Sequence, residues 1–479
     1  MIRWVLALGA LAAVTAGAVT LVYTATSAPL RPKSLALPRV KSTPWPSEDF
    51  VVASPRRDWR SPGARSLKLS YAWLRCDLKG KHCVSLPGLQ GRRIVPPQEP
   101  RIVTVRAMVT ASDGGGSTSV VSRNFYFDEA GRARARRKDL YPLAYDPEQF
   151  RHFYGLGPSQ DGAGQTIVVL AHWRARRLRQ AVDRFSALFD LPRVCGTPHA
   201  GHRCFTLRDT TLGPTRVTDA VENEDIEWVH AIAPRARIVV LRSGFYRDLG
   251  QGVLREERLD GAHVFSSSWG YHPNLPAFFL RDIYSVGRAC HHAHIVCTFP
   301  SGDHGPPGDK PSNSSYVLAV GGTVFRPRPD GVPGAESPWR FGGFGVTTDP
   351  QPRSTWQRHL SGRYRVIPDV SATAAGVGEY EFPPGTPNHQ RAGWFYGGGT
   401  SISSPLWAAL IALADQELAR DAQPAIGIDE LHAVLYRGWL SPGLDDLGHK
   451  GWSEHIGWGS PKAGIVDVLV RAIERYRSG

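Results

Sequence analysis

From Tyr141 onward, apolar runs of strand length alternate with amphipathic helical stretches. Thr166 to Ala171, Ala236 to Leu241, His263 to Ser268 and Ile295 to Phe299 read as buried strands, while Arg174 to Phe189 and Ala277 to His291 carry apolar positions at helical spacing. This alternation predicts an α/β fold: a mostly parallel sheet with helices on both faces and reactive groups on the loops leaving the carboxyl ends of strands. The pattern upstream is different. Ser66 to Leu74, Ile102 to Thr110 and Ser117 to Phe127 are short β-prone runs broken by glycine turns such as Asp113 to Gly116, which predicts a small all-β module. Between Leu30 and Pro62 the chain is rich in Pro, Ser and basic residues without periodicity and reads as a spacer. Trp4 to Tyr23 carries no charge, the length of a signal-peptide core or a single membrane span. The expected division is therefore residues 1–28 as signal peptide or membrane anchor, 29–62 as Pro/basic linker, 63–128 as β module, 129–140 as basic linker and 141–479 as the α/β domain.

Composition adds a boundary. With 42% apolar and 21% charged residues, the chain is neither a disordered tail nor a coiled coil. Lys and Arg total 57 against 43 Asp and Glu, and residues 1–140 hold 23 basic and 9 acidic groups, so the whole excess of +14 lies in the first third. A nucleic-acid partner would have to be read by that region and not by the large domain, so no nucleic acid is expected; anionic envelope polymers or lipid head groups suit the charge better. The six cysteines form three close pairs, Cys76/Cys83, Cys195/Cys204 and Cys290/Cys297, an even count that suits local disulfides in an oxidising compartment. No CxxC spacing points to zinc, and two buried thiols are the alternative for Cys290 and Cys297. Arg31, Lys33, Arg39 and Lys41 follow the apolar segment, against the positive-inside bias. The cysteines outweigh this, and an extracytoplasmic protein, membrane-anchored or secreted, is expected. The run Arg132 to Lys138 reads as a solvated linker or a protease-sensitive junction.

Three loops carry candidate chemistry. Tyr396-Gly397-Gly398-Gly399-Thr400-Ser401-Ile402-Ser403-Ser404-Pro405 runs into a helical stretch, placing Ser401 at a helix start where backbone amides favour developing negative charge. An ordinary N-cap serine would look the same. Pro300-Ser301-Gly302-Asp303-His304-Gly305 sets a carboxyl group just past a buried strand; Asp303 either orients a turn or, held neutral by burial, donates to an oxyanion. Val221-Glu222-Asn223-Glu224-Asp225-Ile226-Glu227-Trp228 is an acid-rich helix start. His230, His304, His291 and His292 lack a metal-ligand pattern and read as structural.

Taken in order, these stretches resemble the sedolisin family, serine-carboxyl peptidases with a subtilisin-like fold. The resemblance spans Tyr141 to about Ser478, through Tyr145-Asp146-Pro147, Tyr154-Gly155-Leu156, Gly164-Gln165-Thr166-Ile167, Ser266-Ser267-Ser268-Trp269-Gly270, Ala319-Val320-Gly321-Gly322-Thr323, Pro368-Asp369-Val370-Ser371-Ala372 and the Ser401 loop. It implies acyl transfer: Ser401 attacks a peptide carbonyl, a Glu takes its proton, Asp225 supports that Glu, and protonated Asp303 stabilises the oxyanion. Ser268, Trp269, Gly270 and Gly399 are the implied substrate-binding residues. Carboxyl groups titrate near 4, so an acidic working range follows. Upstream, Tyr71-Ala72-Trp73-Leu74-Arg75-Cys76, Cys83, Leu86-Pro87-Gly88 and Val105 to Ala111 resemble bacterial immunoglobulin-like repeats, which implies a spacer or adhesive role, a buried Trp73 and a Cys76–Cys83 bond across a hairpin.

The chain departs from the family pattern in three places. Val221 stands where the family has its catalytic Glu; Glu222 lies on the same helical side as Asp225, with its Cβ roughly 100° around the axis from position 221. A family calcium site near the C-terminus would involve Asp446 and Leu447, but Ser453 replaces a carboxylate, so calcium is weakened or lost unless Glu454 compensates. A large folded propeptide is absent from the N-terminal pattern. The expectation is an exported serine endopeptidase acting as a monomer on protein or peptide substrates, with catalytic residues Ser401, Asp225, Asp303 and Glu222, in membrane contact if the N-terminal segment stays uncleaved. The alternative is a pseudopeptidase, an envelope binding or scaffold protein; an adhesive β module is the third reading.

Overall fold

The computed structural model describes residues 31–42, 50–53, 56–61, 66–76, 82–94, 104–122, 126–127, 133–134, 145, 147–171, 174–175, 178–189, 191–192, 194, 205–213, 217–218, 223–244, 246–271, 277–327, 333–360, 362–381 and 393–479. The chain divides into two compact units, one built from segments between the N-terminus and Phe125 and one that holds Tyr126–Gly479. The apolar segment Trp4 to Tyr23, the pair Cys195/Cys204, and Val221 and Glu222 lie outside the described residues. Among the described residues no helix is long and apolar enough to cross a membrane.

The first unit is all β. Val84–Gln90, Lys68–Cys76, Thr104–Asp113 and Gly116–Val121 form a four-stranded sheet in that order. Alternation sends Trp73, Ala107, Val109 and Ala111 to the buried side. Cys76 and Cys83 are disulfide-bonded at the hairpin between the first two strands in sequence. The sequence predicts a featureless spacer up to Pro62; instead Lys33–Ser34 pairs with Trp59–Arg60, and Arg39–Ser42 pairs with Phe50–Ala53, which in turn pairs with Arg93–Ile94. Short β-bonding stretches between prolines satisfy backbone groups without showing a two-residue period, which is why the pattern hid them. Within the basic run, Ala133–Arg134 pairs with Tyr126–Phe127.

The second unit is built on β1 (Thr166–Ala171), β2 (Phe205–Asp209), β3 (Arg237–Arg242), β4 (Val264–Ser266), β5 (Val296–Pro300), β6 (Leu318–Pro327), β7 (Pro333–Pro338) and β8 (Val370–Thr373). The sheet order is β2-β3-β1-β4-β5-β6-β7, with β8 paired to β6. Every pairing is parallel except β6 with β7. Because successive side chains point to opposite faces, Ile167, Val169 and Ala171 enter one core while Val168 and Leu170 enter the other. Helices α4 (Tyr246–Asp260) and α5 (Ala277–His292) cover the second core, where Cys290 of α5 and Cys297 of β5 are disulfide-bonded. On the opposite face lie α1 (Pro147–Phe153), α2 (Leu178–Leu188), α3 (Asn223–Ile232), α6 (Thr400–Arg420), α7 (Ile428–Tyr436) and α8 (Ile465–Arg477). Helix α6 is buried almost along its whole length, as its all-round apolar sequence demands.

One polar hub is enclosed in that apolar body. Asp369, fully buried, accepts two hydrogen bonds from Arg365 (2.9 and 2.7 Å), one from the Tyr436 hydroxyl (2.7 Å) and one from the Ala319 amide (2.8 Å). Trp356 stacks on His432 at 4.0 Å and lies under the Arg365 guanidinium at 4.8 Å. Arg365 outweighs the burial of Asp369 and holds its carboxyl well below the usual range. Removing one partner of such a pair strands a buried charge, so Asp369→Ala should lower unfolding stability by about 3–5 kcal/mol in urea melts at neutral pH.

Candidate active site

The site forms at the carboxyl ends of adjacent parallel strands, where loops leave β4 and β5 and meet the start of α6. The β5 strand ends at Pro300, and Ser301-Gly302-Asp303 turns out of the sheet with Gly302 at φ 115°. A Cβ there would meet the Asp309 carboxyl carbon at 2.8 Å, so only glycine allows this turn. Asp303 then faces α6: the Thr400 amide donates to its Oδ1 at 2.7 Å, and Thr400 Oγ1 lies 2.9 Å from the same oxygen. Thr400 is itself fixed by the Gly302 amide at 3.1 Å.

Oδ1 is thus engaged and Oδ2 looks toward Gly399. A Cβ built on Gly399 would stand 2.6 Å from Ser401 Oγ and 2.8 Å from Asp303 Oδ2, so the nucleophile candidate and the oxyanion candidate converge on a Cα that must stay bare. Ser401 is half-buried in the first turn of α6, where the helix dipole favours negative charge. Helix α6 is pinned there: Ser403 Oγ lies 3.0 Å from each of the Ala372 and Thr373 carbonyl oxygens, with one proton to give to either, Ser404 Oγ donates to Thr298 Oγ1 at 2.9 Å, and the Trp407 indole to the Ser371 carbonyl at 2.8 Å.

Asp225 enters from α3, whose first turn carries Glu224 and Asp225 in keeping with the helix dipole. It is buried, and burial pushes its carboxyl up to about 7, with the Ser268 hydrogen bond pulling the other way. Ser268 Oγ lies 2.5 Å from Asp225 Oδ1 and 2.9 Å from the Ser401 carbonyl oxygen, while Asp225 Oδ2 is buried and has no partner among the described residues. Ser401, Asp303, Asp225 and Ser268 are therefore brought together, directly or through one another. Glu222 lies outside the described residues.

The substrate-binding expectations fare differently. The Ser268 hydroxyl is occupied by protein groups instead of pointing at a free cleft. The bare face of Gly270 is packed by Asp309, whose Oδ2 would be 2.8 Å from an added Cβ. Trp269 is half-buried, and its amide bonds to Ser267 Oγ at 3.2 Å. Three groups escaped the sequence reading: Thr400 as the clamp on Asp303, Asp309 wedged between Gly270 and Gly302, and Asp369 as the hub. The one available signal was position, since Thr400 directly precedes the nucleophile candidate and Asp309 follows Gly-Pro-Pro-Gly just beyond Asp303.

Around Asp446 and Leu447 the donors close turns. The Leu447 amide bonds to Asp445 Oδ1 and the Gly448 amide to Asp446 Oδ1, both at 3.0 Å. Ser453 pairs through its backbone with Gly457 at 2.8 and 2.7 Å. Among the described residues no group of three or more His, Cys, Asp or Glu gathers to hold a metal ion. This set does not fit calcium, which takes six to eight oxygens with carboxylates among them. His230, by contrast, is a buried structural histidine bonded to the Pro192 carbonyl at 2.8 Å, and its burial lowers it to about 4.

A model of the subtilase family matches residues 215–459. Kumamolisin from Bacillus sp. (strain MN-32) is 25% identical over 380 residues, covering 69% of this chain and 64% of its own length. This chain thus spans slightly under two thirds of that relative. Pseudomonas sedolisin, a serine-carboxyl proteinase solved in complex with two molecules of pseudo-iodotyrostatin, superposes with a TM-score of 0.54 at 18% identity, over 70% of this chain and 98% of that one. These likenesses bear out the sedolisin-like domain and the subtilisin-like α/β fold expected from the sequence.

The buried carboxyl of Asp225 sets a stability prediction. Its folded value near 7 lies above an unfolded aspartate near 4, so the native state binds the extra proton and its contribution is lost as pH rises through that window. Asp225→Asn, neutral at every pH, should gain stability relative to the wild type between pH 5 and 8, approaching about 4 kcal/mol at most, read from paired chemical melts.

Proposed function

The chain belongs to the subtilase family, and from that premise we propose that it is an exported serine endopeptidase of the sedolisin type, hydrolysing peptide bonds in protein or peptide substrates at acidic pH. The observation that carries this reading is the convergence of Ser401 Oγ and Asp303 Oδ2 on the bare Cα of Gly399 at the head of α6. In this reading Ser401 Oγ attacks the scissile carbonyl carbon and a carboxylate takes its proton. We assign that base to Glu222, with Asp225 as the neighbouring carboxyl that supports it.

The tetrahedral oxyanion would form between Ser401 and Asp303. With Oδ1 held by Thr400, Asp303 would donate to the oxyanion through Oδ2. The base returns its proton to the leaving amine, and water repeats the sequence on the acyl-enzyme. The neutral form of Asp225 favours low pH. Calcium has no part in this scheme, because the donors near Asp446 do not fit it.

Export, by a cleaved signal or a retained anchor, is supported by the uncharged Trp4–Tyr23 segment and by two disulfides. The β unit is then a spacer holding a monomeric catalytic domain off the envelope, in keeping with its immunoglobulin-like resemblance. Val221, where the family has its Glu, favours a second reading, the pseudopeptidase.

Hydrolysis of a denatured protein by the full chain from pH 3 to 8 separates the two. Cleavage confined to the acid side, abolished in Ser401→Ala and Glu222→Gln and lowered roughly 10²–10³-fold in kcat by Asp303→Asn, is the expected result. Folded protein that cleaves nothing at any pH would leave the pseudopeptidase. EDTA should leave the melting temperature unchanged.

A further inference from the structure

Helix α6 contains Pro405, four residues after Ser401. Proline has no amide hydrogen, so the helix cannot supply the i+4 donor to the Ser401 carbonyl. That carbonyl oxygen instead lies 2.9 Å from Ser268 Oγ, which is also 2.5 Å from Asp225 Oδ1.

A serine hydroxyl owns one proton, while a peptide carbonyl and an ionised carboxylate are acceptors only. Both short contacts can be hydrogen bonds at once only if Asp225 is protonated: Asp225 donates to Ser268 Oγ, and Ser268 donates to the Ser401 carbonyl. If Asp225 is ionised, the single Ser268 proton goes to the carboxylate, and the Ser401 carbonyl loses its donor.

We propose that Ser268 is a positioning residue that couples the protonation of Asp225 to the peptide carbonyl of Ser401, so that this carbonyl has its hydrogen-bond donor only when Asp225 carries its proton. This rests on the peptidase reading solely for the identity of Ser401 as nucleophile. Glu222, which the proposed function sets beside Asp225, lies outside the described residues; among the described residues the groups bearing on Asp225 are few. Ser268 faces it from the loop after β4 and Ser401 lies beyond on α6, with Asp303 facing Ser401 from the loop after β5. Enclosure is what holds the proton, and among the described residues the only group opposing it is the Ser268 hydroxyl. The proton itself exchanges with solvent, so no other reactant is needed.

The device differs from a serine that binds substrate. A substrate-binding Ser268 would affect KM; a tether changes the pH at which the site holds its shape. It also places a limit on the alkaline side.

Isotope-edited infrared spectra of the full chain, labelled at the aspartate side-chain carboxyl and at the serine peptide carbonyl, test the coupling. The Asp225 and Ser401 bands are identified by their loss in Asp225→Asn and their change in Ser401→Ala. In the wild type, the protonated Asp225 band should vanish with a midpoint near 7, and the Ser401 carbonyl band should shift to higher frequency with the same midpoint. Ser268→Thr should keep both changes coupled. Ser268→Ala should leave the Ser401 band at its high-frequency position at every pH and raise the Asp225 midpoint. Should Ser268→Ala fail to fold, Asp225→Asn, a permanent donor, serves instead and should freeze the Ser401 band in its low-pH position. A Ser401 band indifferent to pH in the wild type, or still moving with pH in Ser268→Ala or Asp225→Asn, overturns the proposal. Absence of hydrolysis with the coupled shifts intact would overturn the peptidase reading and leave the tether standing.

Discussion

The buried bond between Arg365 and Asp369 decides where Ser401 stands. Asp369 takes the Ala319 amide and returns its own amide to the Ala319 carbonyl at 2.8 Å, which fixes the start of β8 beside β6. Helix α6 then rests on β8, because Ser403 donates to the carbonyl of Ala372 or Thr373 and Trp407 to that of Ser371. Displacing β8 would move the head of α6, and with it Ser401 relative to Asp303, whose position depends on a different strand. An ion pair is an expensive choice in an apolar interior. Here Arg365, Tyr436 of α7 and Ala319 of β6 all donate to Asp369, which gives the pair a direction that apolar packing lacks.

Much of this was legible in the residues. The α/β alternation, the strand-end position of Asp303 and the helix-start position of Ser401 follow from periodicity and turn chemistry, since these are local properties. Cys76/Cys83 and Cys290/Cys297 were pairable because each couple is close in sequence. What the sequence left hidden is non-local. Nothing near Ser268 announces that Asp225, 43 residues earlier, and Ser401, 133 residues later, will share its hydroxyl. The role of Asp369 likewise needs Tyr436 and Ala319 in place. Pro405 was visible, but its meaning depends on which outside donor replaces the missing amide.

Donor counting links the site's parts more firmly than distance alone. Thr400 occupies one oxygen of Asp303, so the other is oriented; Pro405 removes one donor from Ser401, so an outside hydroxyl has a defined acceptor. Both devices use residues with few degrees of freedom near the reacting atoms. That is how a half-exposed serine in a helix's first turn can be held in a fixed attitude before any substrate arrives.

The Gly457-Trp458-Gly459-Ser460-Pro461 segment has a wider meaning. A Cβ on Gly457 would come within 2.2 Å of the Asp369 carbonyl oxygen, and one on Gly459 within 2.3 Å of that of Asp445, while the Trp458 amide and the Gly459 carbonyl bond to Asp369 and Ser371. These glycines are demanded by the close passage of two backbones, whatever ion does or does not lie nearby. Steric need and ligand chemistry are thus separable pressures on one short stretch. Backbone packing alone therefore suffices to hold both glycines in place, whatever side chains the positions between Asp446 and Ser453 carry.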